Sequence, residues 1–400
     1  MYMTDQERIQ NLLNRGVDTI YPKPDMLQAR LEDGKKLRIY VGFDPTGPHL
    51  HIGHAMQLKK LKEFQDLGHE VIMLIGSFTA MIGDPTDKGA VRVPLTKEQV
   101  KKNAETYKKQ AEKIISFSGK NPAKLKFNDE WLAKMNFDDV LQLTSKFTVQ
   151  QMLERDMFEN RMKEGKPIHL HEFLYPLMQG YDSVAMDVDL EIGGSDQTFN
   201  MLAGRTLMKS MKQKEKMVLT LELLTNDEGK KMSKSEGGFI ALDDAPEQMF
   251  GKIMAMHDSM IHPYFRLVTD TSEEELARIE KEVKKNPRDL KARLATEIVS
   301  LFHDAEAAQR GADHFERVFV NKEMPEDMPE HRLDSAANVI DLLIETKLVS
   351  SRSEARRMID QKAIKLDCEP ITEIDVMIES KGEQILQRGK RQFVKLIPGE

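Results

Sequence analysis

The chain has 400 residues, 40% of them apolar, so it can bury a sizeable core and its length indicates two or three domains. Its formal net charge of -7 excludes a protein coated in nucleic acid, because phosphate binding depends on Lys and Arg. No apolar run is long enough to span a bilayer, and the first residues lack the basic and apolar regions of a signal peptide. The single cysteine, Cys368, fits a reducing compartment, so we expect a cytoplasmic protein with no membrane contact.

The first half of the chain alternates short apolar runs with helical patterns. Thr4 and Glu7 have the spacing of a capping box and predict a helix that stops near Gly16. Strand patterns recur, each separated from the next by helical stretches, at 37–41, 71–75, 124–127, 186–192 and 217–223. This alternation predicts a parallel, doubly wound, Rossmann-type α/β sheet with helices on both faces.

The pattern divides the chain into four regions. Residues 1–224 contain the predicted sheet, and the helical stretch at about 130–181 is too long for a simple crossover, which predicts an insertion. Residues 225–320 begin with a lysine-containing loop and continue as an all-α domain. Residues 321–334, with four acidic residues and two prolines at 321–331, predict a linker, and 335–400 predict a small separate α+β module.

The turn after the strand at 37–41 carries glycines and two histidines. Gly42 and Gly53 remove side chains where a ligand could approach, and the start of the following helix offers N–H groups to an anion. His51 and His54 share one face of that helical turn and can donate hydrogen bonds to oxygens that gain charge in a transition state. An isolated pair with this spacing is equally typical of a metal site or of solvent-facing residues. Its place after a strand and a Gly/Pro-rich turn favours nucleotide binding.

Three further segments carry polar groups beside predicted elements. A loop with Lys231 and Lys234 follows the last strand and can neutralise charge on a departing pyrophosphate, although an isolated charge run is typically a solvated loop. Gly193 and Asp196 follow another strand, where a glycine admits a flat adenosine and a carboxylate suits a ribose hydroxyl. A polar stripe on an otherwise apolar helical segment is formed by Tyr175, Gln179 and Asp182.

Together these segments resemble the class I aminoacyl-tRNA synthetases. The two signatures of that family, His-Ile-Gly-His and Lys-Met-Ser-Lys-Ser, are intact at 51–54 and 231–235. The segments 40–46, 175–182 and 193–197 make the chain similar, over nearly its whole length, to the bacterial tyrosyl-tRNA synthetases. The resemblance implies activation of L-tyrosine with ATP and transfer of the product to tRNA(Tyr).

The chain departs from the family pattern in two respects. Val41 stands where some relatives carry a cysteine able to touch the ribose, so that contact must be missing or made otherwise. Thr198-Phe199 replaces a tryptophan-containing sequence, and Lys-Met-Ser-Lys-Ser replaces a degenerate lysine loop. These last two changes indicate a different subgroup and not a different activity.

The resemblance implies which residues bind the amino acid. In that family a tyrosine and an aspartate hold the substrate phenol, and here these are Tyr40 and Asp182. Phenylalanine would leave such a buried pair unpaired, an effect for which tyrosyl-tRNA synthetases are themselves the reference case, with discrimination of about 10⁵. The ammonium and carboxyl groups of the substrate would be held by Asp84, Tyr175, Gln179 and Gln197.

It also implies two sets of residues around ATP, which binds with Mg²⁺ and without a separate metal site in the protein. The groups that act on the phosphates and the ribose as the reaction proceeds would be Thr46, His51, His54, Lys231 and Lys234. The other nucleotide contacts would come from Gly42, Asp44, Gly53, Gly193, Asp196, Lys234, Ser235, Lys88 and Arg92.

The module at 335–400 resembles the S4-type RNA-binding domains, and the helices of 225–320 would also contact tRNA. The module contains 11 Lys plus Arg and 11 Asp plus Glu, but residues 352–365 hold five basic and two acidic side chains. A cationic strip on a neutral body is what phosphate-backbone binding requires. RNA contacts are expected from Arg352, Arg356, Arg357, Lys390 and Arg391.

Two alternatives stay open from the sequence. A tryptophanyl-type synthetase shares the fold, although Tyr40, Asp182 and the S4-like tail argue against it. A non-catalytic RNA-binding protein with a synthetase fold is the other, although the intact signature loops argue against that.

The resemblance also predicts a homodimer joined through residues 147–164. One apolar face of that segment would be formed by Phe147, Val149, Met152, Leu153 and Met157.

Overall fold

The structure of the protein is a computed structural model, which describes residues 4–84, 95–154, 156–225, 239–320, 328–379, 382–389 and 392–399. The chain forms two compact units, Met1–Gly311 and Ala312–Glu400. Each unit has its own β-sheet and its own apolar core.

Helices dominate the first unit and occur in the second as well. Within the described residues, no helix combines the length and the apolar character needed to cross a membrane. The helices are α1 (Asp5–Asn14), α2 (Pro24–Glu32), α3 (Ile52–Asp66), α4 (Thr79–Ile82), α5 (Lys97–Ala104), α6 (Tyr107–Ala111), α7 (Asp129–Leu132), α8 (Phe137–Thr144), α9 (Val149–Leu153), α10 (Asp156–Lys163), α11 (Leu170–Met186), α12 (Thr198–Lys212), α13 (Pro246–Met254), α14 (Ile261–Val268), α15 (Glu273–Glu282), α16 (Pro287–Phe302), α17 (Ala305–Phe315), α18 (Val339–Glu345) and α19 (Arg352–Asp360).

Six strands form the sheet of the first unit, in the order β1-β6-β5-β2-β3-β4. Five of them run parallel, as the alternating pattern predicts, whereas β1 pairs antiparallel with β6 at the edge. The predicted doubly wound α/β fold is confirmed. The strands are β1 (Val17–Tyr21), β2 (Arg38–Phe43), β3 (Glu70–Ile75), β4 (Lys124–Phe127), β5 (Leu190–Gly194) and β6 (Met217–Leu221).

Two strands differ from the sequence-based expectation. Strand β1 has no predicted counterpart, because an edge strand with a single fully buried residue, Ile20, shows no apolar run. Strand β5 was expected to begin at 186 but begins at Leu190, since α11 continues to Met186 and ends in the left-handed residue Asp187, with φ 51°. A continuous apolar run does not separate the end of a buried helix from the start of a buried strand.

Helices α11 and α12 pack closely against each other on one face of the sheet. A Cβ atom at Gly180 would lie 3.0 Å from the Gly204 amide nitrogen, so glycine at these positions allows the two backbones to approach. In this arrangement Gln179 and Ser183 of α11 contact Glu191, the second residue of β5.

The second unit is a small α+β module, as predicted. Its main sheet has the order β10-β9-β12-β13-β7, and a separate pair joins β11 to β8. Strand β7 falls within the predicted linker 321–334, of which residues 321–327 lie outside the described residues; it is held by parallel pairing with β13. The strands are β7 (Glu330–Leu333), β8 (Ala337–Asn338), β9 (Ile364–Leu366), β10 (Glu369–Pro370), β11 (Met377–Ile378), β12 (Gln384–Arg388) and β13 (Gln392–Pro398).

Candidate active site

An open cleft lies beside the carboxyl ends of strands β5 and β6. The start of α3, the turn after β5 and the chain after β6 all contribute to its walls. Open α/β sheets bind their ligands outside the carboxyl ends of the strands, so the position is typical of a nucleotide site. The lining residues include His51, Gly53, His54, Gly194, Asp196, Leu223, Phe239 and Tyr264.

The two histidines at the start of α3 are fixed by backbone hydrogen bonds. Nδ1 of His51 accepts from the Gly53 amide at 3.1 Å, and Nδ1 of His54 accepts from the His51 amide at 3.1 Å. Their rings stack with centroids 3.7 Å apart. A neutral imidazole that accepts at Nδ1 carries its proton on Nε2, so both rings are prepared as N–H donors. A side chain at Gly53 would come within 3.0 Å of the His51 ring, which explains the glycine between them.

The lysine signature is adjacent to this cleft in the chain. Lys231, Lys234 and Ser235 lie outside the described residues, but Leu224 before them and Phe239 after them both line the cleft. The chain that follows is bound to the start of α3, because the Ile52 amide donates to the Ile240 carbonyl at 3.2 Å.

The glycines and polar residues of the turns divide between the cleft and its surroundings. Gly194 and Asp196 line the cleft, whereas the predicted Gly193 packs under it, where a Cβ would lie 2.8 Å from the sulfur of Met201. Gly42 and Thr46 are exposed at the end of β2 and in the turn after it. Their nucleotide contacts stay predictions.

A second, buried polar region lies between β2, β5 and α11. Tyr40 is completely buried, and its hydroxyl is 3.0 Å from the Ser183 hydroxyl. Asp182, the neighbour of Ser183, is 2% exposed and accepts hydrogen bonds from Trp131 Nε1 at 2.8 Å and Asn128 Nδ2 at 3.2 Å. The predicted phenol-binding pair thus occupies one buried region, although each member has a partner that the sequence did not indicate.

Tyr175 and Asp44 meet at the opposite end of this region. The Tyr175 hydroxyl donates to Asp44 Oδ2 at 2.8 Å, and the Thr79 hydroxyl donates to Asp44 Oδ1 at 2.7 Å. Asp44 was expected among the nucleotide contacts, but its hydrogen bonds join it to a residue expected to bind the amino acid. It therefore lies between the two predicted sites.

The residues expected around the substrate backbone form two further pairs. Asp84 Oδ2 accepts from Gln197 Nε2 at 2.6 Å, and the Gln197 carbonyl oxygen accepts from Asn200 at 2.8 Å. Gln179 Nε2 donates to Glu191 Oε1 at 3.1 Å. Of the expected ammonium-binding residues, Tyr175 and Gln179 thus pair with different acids, whereas Asp84 pairs with the Gln197 amide. We call the region bounded by Tyr40, Asp44, Asp84, Tyr175, Gln179, Asp182 and Gln197 the polar pocket.

Burial controls the ionisation of the polar pocket. Burial raises the pKa of Tyr40 well above its usual value, and the charges of Glu191 and Asp182 raise it further. Burial and the charges of Asp44 and Asp84 likewise raise the pKa of Tyr175. Both phenols therefore stay protonated and can donate hydrogen bonds. Burial also raises the pKa of Asp182, while the donors Trp131 and Asn128 oppose that rise.

Several residues that contact the polar pocket are not evident from sequence motifs, and neither is Lys216, which pairs with Glu191. Asn128 and Trp131 follow strand β4, so polar residues beyond a strand end were the available signal. Glu191 and Lys216 are charged residues in or beside otherwise apolar strands, which was a second signal. Ser183 has no such signal, since a serine inside a helix is common.

Of the remaining predicted residues, four lie outside the described part of the chain and three lie on helix α19. Lys88, Arg92, Lys390 and Arg391 lie outside the described residues. In the second unit, helix α19 has a buried face formed by Ala355 and Ile359. Its exposed side carries Arg352, Arg356 and Arg357. In the described part of the chain, no group of three or more His, Cys, Asp or Glu residues could hold a metal ion.

Comparison with known proteins identifies the class. Residues 32–320 match the family model of the class I tRNA synthetases (W and Y), and the chain belongs to that family. Residues 320–396 match the model of the tyrosine-tRNA ligase SYY-like C-terminal domain. The tyrosine-tRNA ligase of Thermotoga maritima is 46% identical over 402 residues, covering 100% of this chain and 99% of the relative. Tyrosine-tRNA ligase 2 of Vibrio cholerae is 46% identical over 96% of this chain and 97% of the relative.

Solved structures support the same fold. A truncated mitochondrial tyrosyl-tRNA synthetase of Aspergillus nidulans superposes with a TM-score of 0.66 at 24% identity, over 78% of this chain and 94% of that one. A tyrosyl-tRNA synthetase of Archaeoglobus fulgidus, solved with L-tyrosine, gives a TM-score of 0.59 at 24% identity, over 78% and 100%. The family resemblance predicted from the sequence is confirmed.

The polar pocket predicts a sensitive glycine at the end of β3. A Cβ on Gly76 would lie 1.8 Å from Asp44 Oδ1 and 2.4 Å from the Thr79 hydroxyl. We expect Gly76→Ala to displace Asp44, break its bond to Tyr175 and lower kcat/KM for tyrosine in pyrophosphate exchange by at least about tenfold.

Gly251→Ala is the matched control, because a Cβ there has no neighbour within 4 Å. It should leave the exchange rate unchanged. A Gly76→Ala protein with kcat/KM within twofold of the wild type would show that the position of Asp44 is unimportant.

Proposed function

We propose that this chain is a tyrosine-tRNA ligase that activates L-tyrosine with ATP and loads it onto the 3′-terminal adenosine of tRNA(Tyr). The observation that carries the proposal is the position of the polar pocket beside a cleft whose wall contains the stacked His51 and His54 rings. The polar pocket can hold a hydroxylated amino acid, and the cleft can hold a nucleotide. The tyrosine-type C-terminal model and the full-length relatives support this choice over a tryptophanyl enzyme.

The first reaction joins tyrosine to AMP. A carboxylate oxygen of tyrosine attacks the α-phosphorus of ATP, the bond from that phosphorus to the bridging oxygen breaks, and pyrophosphate leaves. No protein nucleophile is needed, so catalysis depends on positioning and on donors directed at the phosphate oxygens. His51 and His54 supply such donors through Nε2–H.

The second reaction transfers the tyrosyl group. A hydroxyl of the terminal tRNA ribose attacks the carbonyl carbon of tyrosyl-adenylate, and AMP leaves. Lys231 and Lys234 act earlier, on the departing pyrophosphate. Mg²⁺ enters on the phosphates of ATP as part of the substrate and offsets their charge. We place the reaction in the cytoplasm, where tRNA charging supplies translation.

Specificity for tyrosine would come from the buried end of the polar pocket. The Tyr40 hydroxyl and the Asp182 carboxylate are a donor and an acceptor, which matches the two capacities of a phenol. Phenylalanine would leave both groups without the substrate hydroxyl, and unpaired buried polar groups are costly.

ATP-pyrophosphate exchange with each of the twenty amino acids tests the proposal. Tyrosine alone should support rapid exchange, and tRNA(Tyr) should then accept the amino acid. Exchange with tryptophan alone would identify the tryptophanyl type. An absence of exchange with every amino acid would favour the non-catalytic RNA-binding alternative.

The histidine at 54 should matter for the reaction more than for tyrosine binding. We expect His54→Ala to lower the activation rate constant by about 100-fold, because a donor to the developing charge is lost, with the Kd for tyrosine nearly unchanged. Lys234→Ala should likewise lower the activation rate constant and leave the Kd for tyrosine nearly unchanged. Stopped-flow measurement of tyrosyl-adenylate formation provides both constants, and equal losses in the two would argue against transition-state stabilisation.

The second unit is proposed to bind tRNA through the exposed side of α19. Arg352, Arg356 and Arg357 are exposed there, which suits contact with a phosphate backbone.

The double variant Arg356→Glu/Arg357→Glu should lower aminoacylation at least about tenfold and leave tRNA-independent exchange unchanged, since two phosphate contacts become repulsive. Arg8→Glu, on the surface of the first unit, serves as the control. Loss of exchange activity in the α19 variant, or unaltered aminoacylation, would contradict an RNA-binding role.

We further propose that the chain forms a homodimer through the helical insertion. Five large apolar side chains are exposed within residues 137–170, and a concentration of exposed apolar side chains in one segment is typical of interfaces. Of the face predicted from sequence only Val149 is strongly exposed, at 66%, whereas Met152 is buried in the protomer. The exposed set is Phe137, Leu141, Val149, Met162 and Leu170.

Sedimentation at micromolar concentration tests the dimer. The wild type should sediment as a dimer, and Val149→Asp should shift it towards monomer because a charge would be buried without a partner. Met377→Asp changes an equally apolar exposed residue in the second unit and should have no effect. A monomeric wild type would remove the proposal.

A further inference from the structure

A buried ion pair lies directly behind the polar pocket. Glu191 on β5 is 2% exposed, and Lys216, immediately before β6, is 0% exposed. The Lys216 ammonium donates to Glu191 Oε2 and also to the Met201 carbonyl at 3.0 Å. Removing two charges from water costs several kcal/mol per ion, and apolar side chains of similar volume commonly serve packing as well. Packing alone therefore does not explain why these two buried positions hold an ion pair.

Glu191 contacts both ends of the polar pocket. Its Oε1 accepts from Gln179 at 3.1 Å, and its Oε2 lies 3.5 Å from the Ser183 hydroxyl, which in turn is 3.0 Å from the Tyr40 hydroxyl. Tyr40 and Glu191 are also direct neighbours in the register of β2 and β5. One carboxylate is thus connected to the phenol-binding end and to the end expected to hold the ammonium group.

The packing of α11 and α12 leaves space for this arrangement. A Cβ on Gly204 would lie 2.6 Å from the Lys216 ammonium and 2.9 Å from the Ser183 hydroxyl. The absence of a side chain at Gly204 allows the ion pair and Ser183 to occupy the same small volume. The network is therefore part of the helix packing and is rigidly placed.

We propose that Glu191, held in place by Lys216, is a positioning residue for tyrosine that acts through Gln179 and Tyr40; this inference rests on the function proposed above. With its Nε2 committed to Glu191, the Gln179 amide turns its carbonyl oxygen the other way. An ammonium group has donors only, so an amide oxygen is the atom that can receive it. Glu191 thereby sets the amide in the orientation that binds the substrate.

Lys216 determines whether Glu191 can do this. A carboxylate paired with an ammonium group accepts hydrogen bonds, so its second oxygen is an acceptor for the Gln179 amide. Without Lys216 the Oε2 side of Glu191 would lose the ammonium donor that holds it in this position. The ion pair therefore fixes the direction of the hydrogen bonds as well as the position of the groups.

Replacement of the pair by apolar residues separates positioning from stability. In Glu191→Leu/Lys216→Met the fold should melt cooperatively at a temperature equal to or above that of the wild type. The KM for tyrosine in pyrophosphate exchange should rise at least about tenfold, with the KM for ATP within about twofold. Glu215→Gln, which removes the neighbouring half-exposed Arg205–Glu215 pair, is the control and should change neither constant.

A double-mutant cycle tests whether Glu191 acts through Gln179. Glu191→Gln should raise the KM for tyrosine in the wild-type background but by less than about twofold in a Gln179→Ala background. Independent, multiplying effects would contradict action through Gln179. If the apolar double variant does not melt cooperatively, the KM for tyrosine of Glu191→Gln alone tests the proposal, because glutamine preserves the side-chain volume of glutamate.

The proposal is overturned if folded variants keep the KM for tyrosine within twofold, or if the KM values for tyrosine and ATP rise together. Exchange by the wild type is measured first. An inactive wild type counts against the proposed function, while an active wild type with unaffected variants counts against the positioning role alone.

Discussion

The burial of several carboxylates in one small volume constrains the whole region between the sheet and α11. A buried charge is costly unless hydrogen bonds or an opposite charge replace the lost water. Asp182 receives donors from Asn128 and Trp131, and Glu191 receives Lys216. These partners come from strand ends and helices far apart in the chain. The fold around the pocket is thus specified by the hydrogen-bond and charge partners that its carboxylates require, as much as by apolar packing. Asp182 and Glu191 are each 2% exposed, and Asp44 and Asp84 beside them are partly buried.

The same negative charge gives the proposed site its chemical character. Burial raises the pKa of Tyr40 and Tyr175, and the neighbouring carboxylates raise it further, so both phenols remain donors across the range in which an enzyme of this kind works. A net negative environment also favours an ammonium group over a neutral ligand. The pocket is therefore suited to a zwitterionic amino acid with a hydrogen-bonding side chain. An apolar cavity of the same size would not make this distinction.

The sequence predicts the scaffold and the signature residues well, because both depend on local patterns. The parallel sheet follows from alternating apolar runs, and the His51–His54 turn follows from its place after a strand. The hydrogen-bond partners could not be predicted in this way. Ser183 and Tyr40 are 143 residues apart, and their contact depends on the Gly180–Gly204 approach of two helices. Strand β1 was missed for a related reason, since it is held by pairing with β6 and not by an apolar pattern of its own.

Strand β5 connects the two halves of the proposed reaction. Glu191 lies behind the amino acid pocket, while Gly194, three residues further along the strand, lines the nucleotide cleft. At about 3.3 Å per residue this separation is roughly 10 Å, comparable to the length of one aromatic amino acid. A tyrosine held at the level of Glu191 would present its carboxylate near the nucleotide. Because a misplacement of about 1 Å can cost about 100-fold in rate, an ion pair that positions the groups around tyrosine is mechanistically useful. Its influence would reach the reacting atoms through the substrate itself.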